Sequence, residues 1–294
     1  LQDPLFSSTD ELRSAVDACV KQQSVPCKNR YGPVPEWNVS RVTDMSYIFA
    51  EMYAFDGDLS RWAVSSVTTM RGMFKHGKSF NGDLSQWDVS SVTDMKYMFD
   101  SAENFNGDIS KWVVSRVTDM SLMFKQAKMF KSELSQWDVS RVTDMYGMFW
   151  GAVSFNRDIS KWDVSSVTDM AQMFREASVF DSDILKWNVS SVEDMYGMFW
   201  SALEFSGNIS EWDVSSVKDA RSMFADTRLF DCDISKWDVS SVSSMNYMFW
   251  GGESFNGDIS EWNVQSITHM SGMFLDAKSF DGDMSKWDVS RVED

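Results

Sequence analysis

Tryptophan recurs every 25 residues from Trp37 to Trp287, with no insertion or deletion in ten intervals. A fixed period of this length is typical of a solenoid, in which each repeat forms one coil that stacks on the coil before it. We number the positions of each coil from its tryptophan, so that coil 1 is residues 37–61. The period predicts a solenoid of about ten and a half repeats over residues 37–294, preceded by a capping helix and lead-in over residues 1–36.

The apolar residues of each coil follow two spacings. Positions 9, 12, 13 and 16, as in Met145, Met148, Phe149 and Ala152, have the spacing of one helix face. An aliphatic residue at position 23, Trp at 1, Val at 3 and Val or Ile at 6 follow the skeleton of a leucine-rich repeat. Asn-Gly and Asp-Gly pairs favour a turn between them. We therefore predict an α/β fold: a right-handed, leucine-rich-repeat-like solenoid whose coils contain a strand centred on Trp-Asp-Val, a short helix and a turn.

The two ends of the array differ. Residues 8–22 predict an amphipathic helix, with Ser8 or Thr9 as N-cap and Leu12 and Val16 on its apolar side, which would cover the first coil. The repeats stop at Asp294, partway through an eleventh coil, without a capping segment. Either the array is truncated there, or its end packs on another chain.

The charge of the chain restricts its partners. With 44 acidic and 27 basic side chains the net charge is -17, which argues against nucleic acid and anionic membrane surfaces, both of which need basic protein surface. Cations and neutral partners such as glycans suit an acidic surface. No stretch of the sequence approaches the ~20 apolar residues of a transmembrane helix, so none is predicted.

Two of the three cysteines, Cys19 and Cys27, lie close together before the repeats, whereas Cys232 stands alone within them. A disulfide between Cys19 and Cys27 would indicate an oxidising compartment. The alternative is a pair of reduced cysteines in the cap.

Paired acidic or amide residues at positions 20 and 22 make a candidate calcium ladder. Stacked carboxylate oxygens are ligands that Ca²⁺ prefers. The alternative is a plain turn, in which these side chains accept backbone N–H groups. The candidate ligands are Asp56, Asp58, Asp181, Asp183, Asp281 and Asp283.

Tryptophan also occupies position 14 of every second coil in the centre of the array, with tyrosines nearby. Ordered, partly exposed aromatic rings bind sugars or anchor protein partners. The alternative is a structural stack in which Trp150 and Trp200 enclose Arg175 by cation–π contact. This aromatic stripe, with its central arginine, comprises Trp150, Trp200, Trp250, Tyr146, Tyr196, Tyr247 and Arg175.

Catalysis finds little support in the sequence. His76 and His269 lie at different repeat positions, 15 and 8, and no serine or cysteine is placed to form a nucleophile–base pair with either. We therefore predict that the chain is not an enzyme and holds no cofactor other than calcium.

The repeated segment from Phe to Trp-Asp-Val-Ser-Ser-Val-Thr-Asp-Met, seen at residues 80–99 and 155–174, resembles the BspA-like leucine-rich repeat surface proteins. It is also similar to a repeat of unknown function in mycoplasma lipoproteins. The resemblance implies a non-enzymatic extracellular or cell-surface module for adhesion or for binding a protein or glycan, and it implies no catalytic residues. The alternative is a structural subunit of a surface filament or larger assembly, which would self-associate through the open C-terminal end and the aromatic stripe.

Overall fold

The computed structural model describes residues 5–22 and 30–294. Helix α1 spans Thr9–Val16 and continues as a π-helical turn, Asp17–Lys21. A single 3-10 turn, Val34–Glu36, leads into the first coil. Residues 37–294 then form the stacked 25-residue coils that the period predicts, joined by parallel bridges between neighbouring coils.

Helix α1 forms where its capping residues predict. The Ser8 hydroxyl accepts the backbone N–H of Glu11 at 3.2 Å, and the Glu11 carboxylate accepts the backbone N–H of Ser7 at 2.9 Å. This reciprocal pair satisfies N–H groups that a helix start otherwise leaves without partners. The buried residues of α1 include Leu12 and Val16, as predicted, but the α-helix ends at Val16 rather than continuing to residue 22.

Side chains of α1 complete the hydrogen bonds of coil 1. In later coils the carbonyls at positions 8 and 10 accept backbone N–H groups from the coil before. Coil 1 has no preceding coil, and there the Thr9 hydroxyl donates to the Asp44 carbonyl at 2.7 Å. The Arg13 guanidinium likewise donates to the Ser46 carbonyl at 3.1 Å. The cap therefore supplies donors as well as apolar cover.

The helix predicted at positions 9–16 is wrong. Positions 11 and 15 have positive φ in every one of the first ten coils, for example 55° at Gly147 and 68° at Gly151. A right-handed helix cannot contain such a residue every fourth position. The segment instead forms successive turns, in which Trp150 N–H bonds the Gly147 carbonyl at 3.1 Å and Gly151 N–H bonds the Arg175 carbonyl of the next coil at 2.7 Å. The 14 non-glycine residues with positive φ all lie at these two positions, and the bonds between coils offset their strain.

The strand predicted on Trp-Asp-Val is also wrong. Between the coils, the parallel bridges form one column at position 8, from Asp44 to His269, and the bridge at position 2 pairs only Asn38 of coil 1 with Leu5 before the repeats. The Trp-Asp-Val segment instead enters a turn: Asp138 accepts the backbone N–H of Ser140 at 3.1 Å, and Val142 N–H bonds the Val139 carbonyl at 2.9 Å. The coils are therefore built from turns and bridges.

Stacked columns of identical side chains form the core. Phe149 packs on Phe155 of its own coil at 3.9 Å between ring centroids and on Phe174 of the next coil at 5.7 Å. The buried Trp137 donates its indole N–H to the Ile109 carbonyl at 3.1 Å, and nine other tryptophans at position 1 make the equivalent bond to a carbonyl 28 residues earlier. Trp37 donates instead to the Gly32 carbonyl of the lead-in at 3.4 Å. Burial of these columns confirms the predicted solenoid core, whereas its right-handedness stays a prediction.

Candidate binding face

One face of the solenoid carries the residues of the aromatic stripe. Positions 9, 12 and 13 point into the core, and the side chains at positions 8, 10 and 14 reach the surface beside them in most coils. The exceptions, which are buried, are Asp100, Ser121, Ala171 and Ala225. We call positions 8, 10, 11, 14 and 15 of coils 2–9 the candidate binding face. The rigid stacking of the coils arranges its side chains in columns parallel to the solenoid axis.

In coils 4–7 the position-14 column is a stack of alternating basic and aromatic groups. The Arg175 guanidinium lies 4.6 Å from the Trp150 ring centroid and 3.9 Å from that of Trp200. The Lys125 ammonium lies 4.2 Å from the Trp150 ring. These contacts are those of the structural-stack alternative, and they hold the rings in fixed positions while leaving Trp150 and Trp200 partly exposed.

The predicted tyrosines join this face by different contacts. The Tyr146 hydroxyl accepts a hydrogen bond from the Gln172 amide at 3.2 Å. The Arg221 guanidinium lies 5.0 Å from the Tyr196 ring centroid. Tyr247, which is 43% exposed, packs edge-on against Trp250 with centroids 6.4 Å apart. The structure thus places all seven predicted residues on one face, with Tyr247 and Trp250 outside the group centred on Arg175.

A column of aspartates at position 8 lies beside the aromatic stripe, and the sequence analysis missed it as a site. Each carboxylate accepts the backbone N–H of position 10, as Asp169 does from Ala171 at 2.9 Å. The signal in the sequence was aspartate at a constant spacing of 25 residues. The uninterrupted part of the column comprises Asp94, Asp119, Asp144, Asp169, Asp194 and Asp219.

Among the described residues, basic side chains pair with this column only near its two ends, and Arg71 and Lys96 also reach Asp119, at 3.7 and 4.0 Å. Arg71 contacts Asp94 at 2.9 Å, and Arg221 contacts Asp219 at 2.6 Å. Burial raises the pKa of Asp169 to about 6, and the neighbouring carboxylates add to the effect. The pKa values of the two flanking aspartates, Asp144 and Asp194, are raised for the same reasons.

The acidic pairs proposed for calcium make the hydrogen bonds of the turn alternative. Asp56 accepts the backbone N–H of Asn81 in the next coil at 2.8 Å, and Asp58 accepts that of Ser60 at 2.9 Å. Asp181 likewise accepts the N–H of the next coil at 2.8 Å. Across the described residues, no group of three or more His, Cys, Asp or Glu is placed to hold a metal ion. Calcium binding stays a prediction.

Cys19 and Cys232 lie outside the aspartate column, whereas His269 lies at position 8 two coils beyond Asp219. Cys19 is disulfide-bonded, but its predicted partner Cys27 lies outside the described residues, so the pairing stays a prediction. Cys232 is a free thiol, and burial raises its pKa. The His76 ring lies 2.6 Å from the Glu51 carboxylate, and the His269 ring lies beside its neighbouring threonine.

Comparison with known proteins identifies the repeat. The family described as "Mycoplasma protein of unknown function, DUF285" matches residues 20–137, 120–231 and 204–294. The chain belongs to this family. DUF285 membership confirms the resemblance to the mycoplasma repeat, whereas the resemblance to BspA-like proteins stays a prediction.

Solved structures with some similarity include an internalin (inlF) from Listeria monocytogenes, at 7% identity and a TM-score of 0.28 over 84% of this DUF285 chain and 78% of that chain. A leucine-rich cell surface protein from Faecalibacterium prausnitzii has 12% identity and a TM-score of 0.31 over 84% and 74% of the two chains. No curated protein matches the sequence. None of the helices in the described part of the chain has the length and apolar character that crossing a bilayer demands.

Proposed function

We propose that this protein is a non-enzymatic module that binds a protein partner at the outside of a cell through the candidate binding face. The observation that carries the proposal is the side-by-side arrangement of an aromatic and a carboxylate column on one rigid surface. Tryptophan, tyrosine and arginine are the residues that most often dominate binding energy in protein interfaces. Because the stacked coils already order these side chains, binding costs little conformational entropy.

Position-14 contacts support a role beyond internal stacking. The indole nitrogen of Trp150 is buried and lacks a hydrogen-bond partner within the described residues. Trp250 lies beyond the stack centred on Arg175, and its neighbour Tyr247 is among the large side chains that remain substantially exposed. A column built only for stability would pair the Trp150 indole N–H and bury the Tyr247 ring.

A matched pair of triple variants tests the proposal. Replacing Trp150, Trp200 and Trp250 with alanine removes the aromatic anchors from the face. The control replaces three large apolar residues that are more than half exposed and lie off the face, Val113, Met129 and Leu229. Both proteins are screened beside the wild type against soluble glycans and extracellular proteins, and their melting curves establish that they are folded.

The proposal expects a purified protein ligand that binds the wild type and the control but not the face variant. Binding that the face variant retains, or that both variants lose equally, would contradict it. If the ligand found is a glycan, the partner is a sugar, and the proposal of a protein partner is wrong. Light scattering across concentration tests the self-associating assembly subunit, which would grow into oligomers where the proposed module stays monomeric.

A further inference from the structure

Two equivalent places on the candidate binding face share a tyrosine and an aspartate, but only one of them has an arginine at position 10; they also differ at positions 11, 14 and 15. In coils 7 and 8, the Arg221 side chain extends over the Tyr196 ring, 5.0 Å from its centroid, and its guanidinium pairs with the Asp219 carboxylate. Both nitrogen–oxygen contacts to one carboxylate oxygen are short, at 2.9 and 2.6 Å. The tyrosine face and the carboxylate together therefore make a complete seat for a guanidinium.

Coils 5 and 6, fifty residues earlier, repeat the same seat without its arginine. Tyr146 stands where Tyr196 does, Asp169 stands where Asp219 does, and Ala171 takes the place of Arg221. Tyr146 and Asp169 are close enough for the carboxylate charge to raise the pKa of the phenol, although burial is the larger cause. The ring and the carboxylate are thus present together without an arginine at position 10, although Arg175 at position 14 acts on the Tyr146 hydroxyl and is linked to it through Gln172.

The two carboxylates on either side of Asp169 also lack a salt-bridge partner among the described residues. Asp144 and Asp194 flank it in the same column, and Tyr196 lies one coil further along. None of the salt bridges within residues 5–22 and 30–294 reaches these three carboxylates. Lys96 is the basic group that acts on Asp169, and it does so from three coils away. These three partly buried carboxylates feel basic groups only beyond salt-bridge distance, Lys96 at Asp144 and Asp169 and Arg221 at Asp194, so they favour a positive ligand.

We propose that the seat formed by Tyr146 and Asp169, with Asp144 and Asp194 on either side, binds an arginine side chain of a protein partner. A guanidinium fits better than an ammonium because Arg221 fills the equivalent seat by stacking on a ring and forking onto a carboxylate. The net charge of -17 attracts a basic partner over a longer range. The inference rests on the proposed function for the source of the arginine, but the seat itself is testable with a peptide.

The experiment uses ¹⁹F NMR of the full chain labelled with 3-fluorotyrosine, since only seven tyrosines are present. Tyr146→Phe and Tyr196→Phe identify the two relevant signals. The probe is acetyl-Gly-Arg-Gly-amide at pH 7.5, and the control is the same peptide with citrulline, which is neutral and nearly the same shape. We expect the Tyr146 signal to shift with the arginine peptide, and the citrulline peptide to bind at least about tenfold more weakly, since a charged hydrogen bond is lost.

Three variants make the result decisive. Ala171→Arg places an arginine at the position equivalent to Arg221. This arginine should occupy the seat and abolish peptide binding. Arg221→Ala should open a second seat and make the Tyr196 signal respond to the peptide. Asp169→Asn keeps the acceptor for Ala171 N–H and removes the charge, so it should weaken binding by at least about tenfold even if Ala171→Arg does not fold.

Acidification gives an independent readout. The pKa of Asp169 is raised to about 6, so peptide binding should weaken between pH 7.5 and pH 5 as this carboxyl and its flanking aspartates take up protons. A Tyr146 signal that does not respond, that responds equally to citrulline, or that still responds in Asp169→Asn would overturn the proposal. The broader binding function would then still be tested separately by the triple tryptophan variant, which leaves the residues of this seat unchanged.

Discussion

Asp169 is the residue whose replacement most directly tests the electrostatics of the aspartate column. Its pKa is about 6 in the folded chain against an ordinary value of 3.8, because burial and the carboxylates of Asp144 and Asp194 disfavour its charged form. A tenfold change in an equilibrium constant is about 1.4 kcal/mol, so ionised Asp169 destabilises the fold by up to about 3 kcal/mol. Solvent screens part of this, since the Asp169 side chain is itself only partly buried. We expect Asp169→Asn to raise the free energy of unfolding at pH 7.5 by roughly 1–3 kcal/mol.

The sign of the pH dependence follows from the raised pKa. Between pH 4 and pH 6 the folded chain holds a proton on Asp169 that the unfolded chain releases, so the stability of the wild type falls as pH rises through this range. Asp169→Asn has no carboxyl group at this position to titrate, so its stability lacks this dependence on pH. Its advantage should therefore be near zero at pH 4, grow through pH 6 and be complete by pH 7.5.

Urea unfolding followed by tryptophan fluorescence measures the effect, because the eleven stacked tryptophans report loss of the coils. The matched control is Asp94→Asn, in the same column and the same turn but paired with Arg71 at 2.9 Å. The free energy of unfolding of Asp94→Asn should fall by up to about 1 kcal/mol at pH 7.5, because the ion pair is lost. An advantage of Asp169→Asn that does not change with pH, or a loss of stability at pH 7.5, would refute the reasoning.

Three further predictions concern the core, the cap and the turns. Phe149→Ala should cost about 3–5 kcal/mol because it leaves a cavity in a fully buried column, whereas Val153→Ala, at a residue 38% exposed, should change the urea midpoint little. A cost below about 1 kcal/mol would mean that the column repacks. Ser8→Ala should cost about 1 kcal/mol by removing the N-cap of α1, measured as a lower melting temperature, and restoration by Ser8→Asp should follow if capping is the cause. If the Asp181 and Asp183 pair binds calcium, adding it should raise the melting temperature reversibly, and a curve unchanged by calcium and by chelator would end that prediction.

Much of the core could be predicted from the period. Identical residues at a constant spacing of 25 lie at equivalent places in successive coils, so Phe149, Phe174 and Trp137 had to stack on their counterparts once the chain formed a solenoid. The aromatic stripe was predictable for the same reason, since Trp150, Arg175 and Trp200 share position 14 and neighbouring coils bring them together.

The conformation of each coil was not predictable in this way. Met145, Met148 and Phe149 have helical spacing, but a chain of turns with left-handed residues at positions 11 and 15 points the same side chains inward. Hydrogen bonds from Gly151 and its equivalents to the next coil favour the turns, and a single repeat has no such neighbour.

The chemistry of the face depends on the stacking in a similar way. One aspartate per repeat is an ordinary turn residue, and Asp169 accepts a backbone N–H as such residues do. Only when the coils stack does it lie between two more carboxylates, partly removed from water, and acquire a pKa of about 6. The amino-acid order thus determines which residues form a column, while burial and the neighbouring coils determine what each column can bind, because desolvation and charge repulsion exist only between groups that folding brings together.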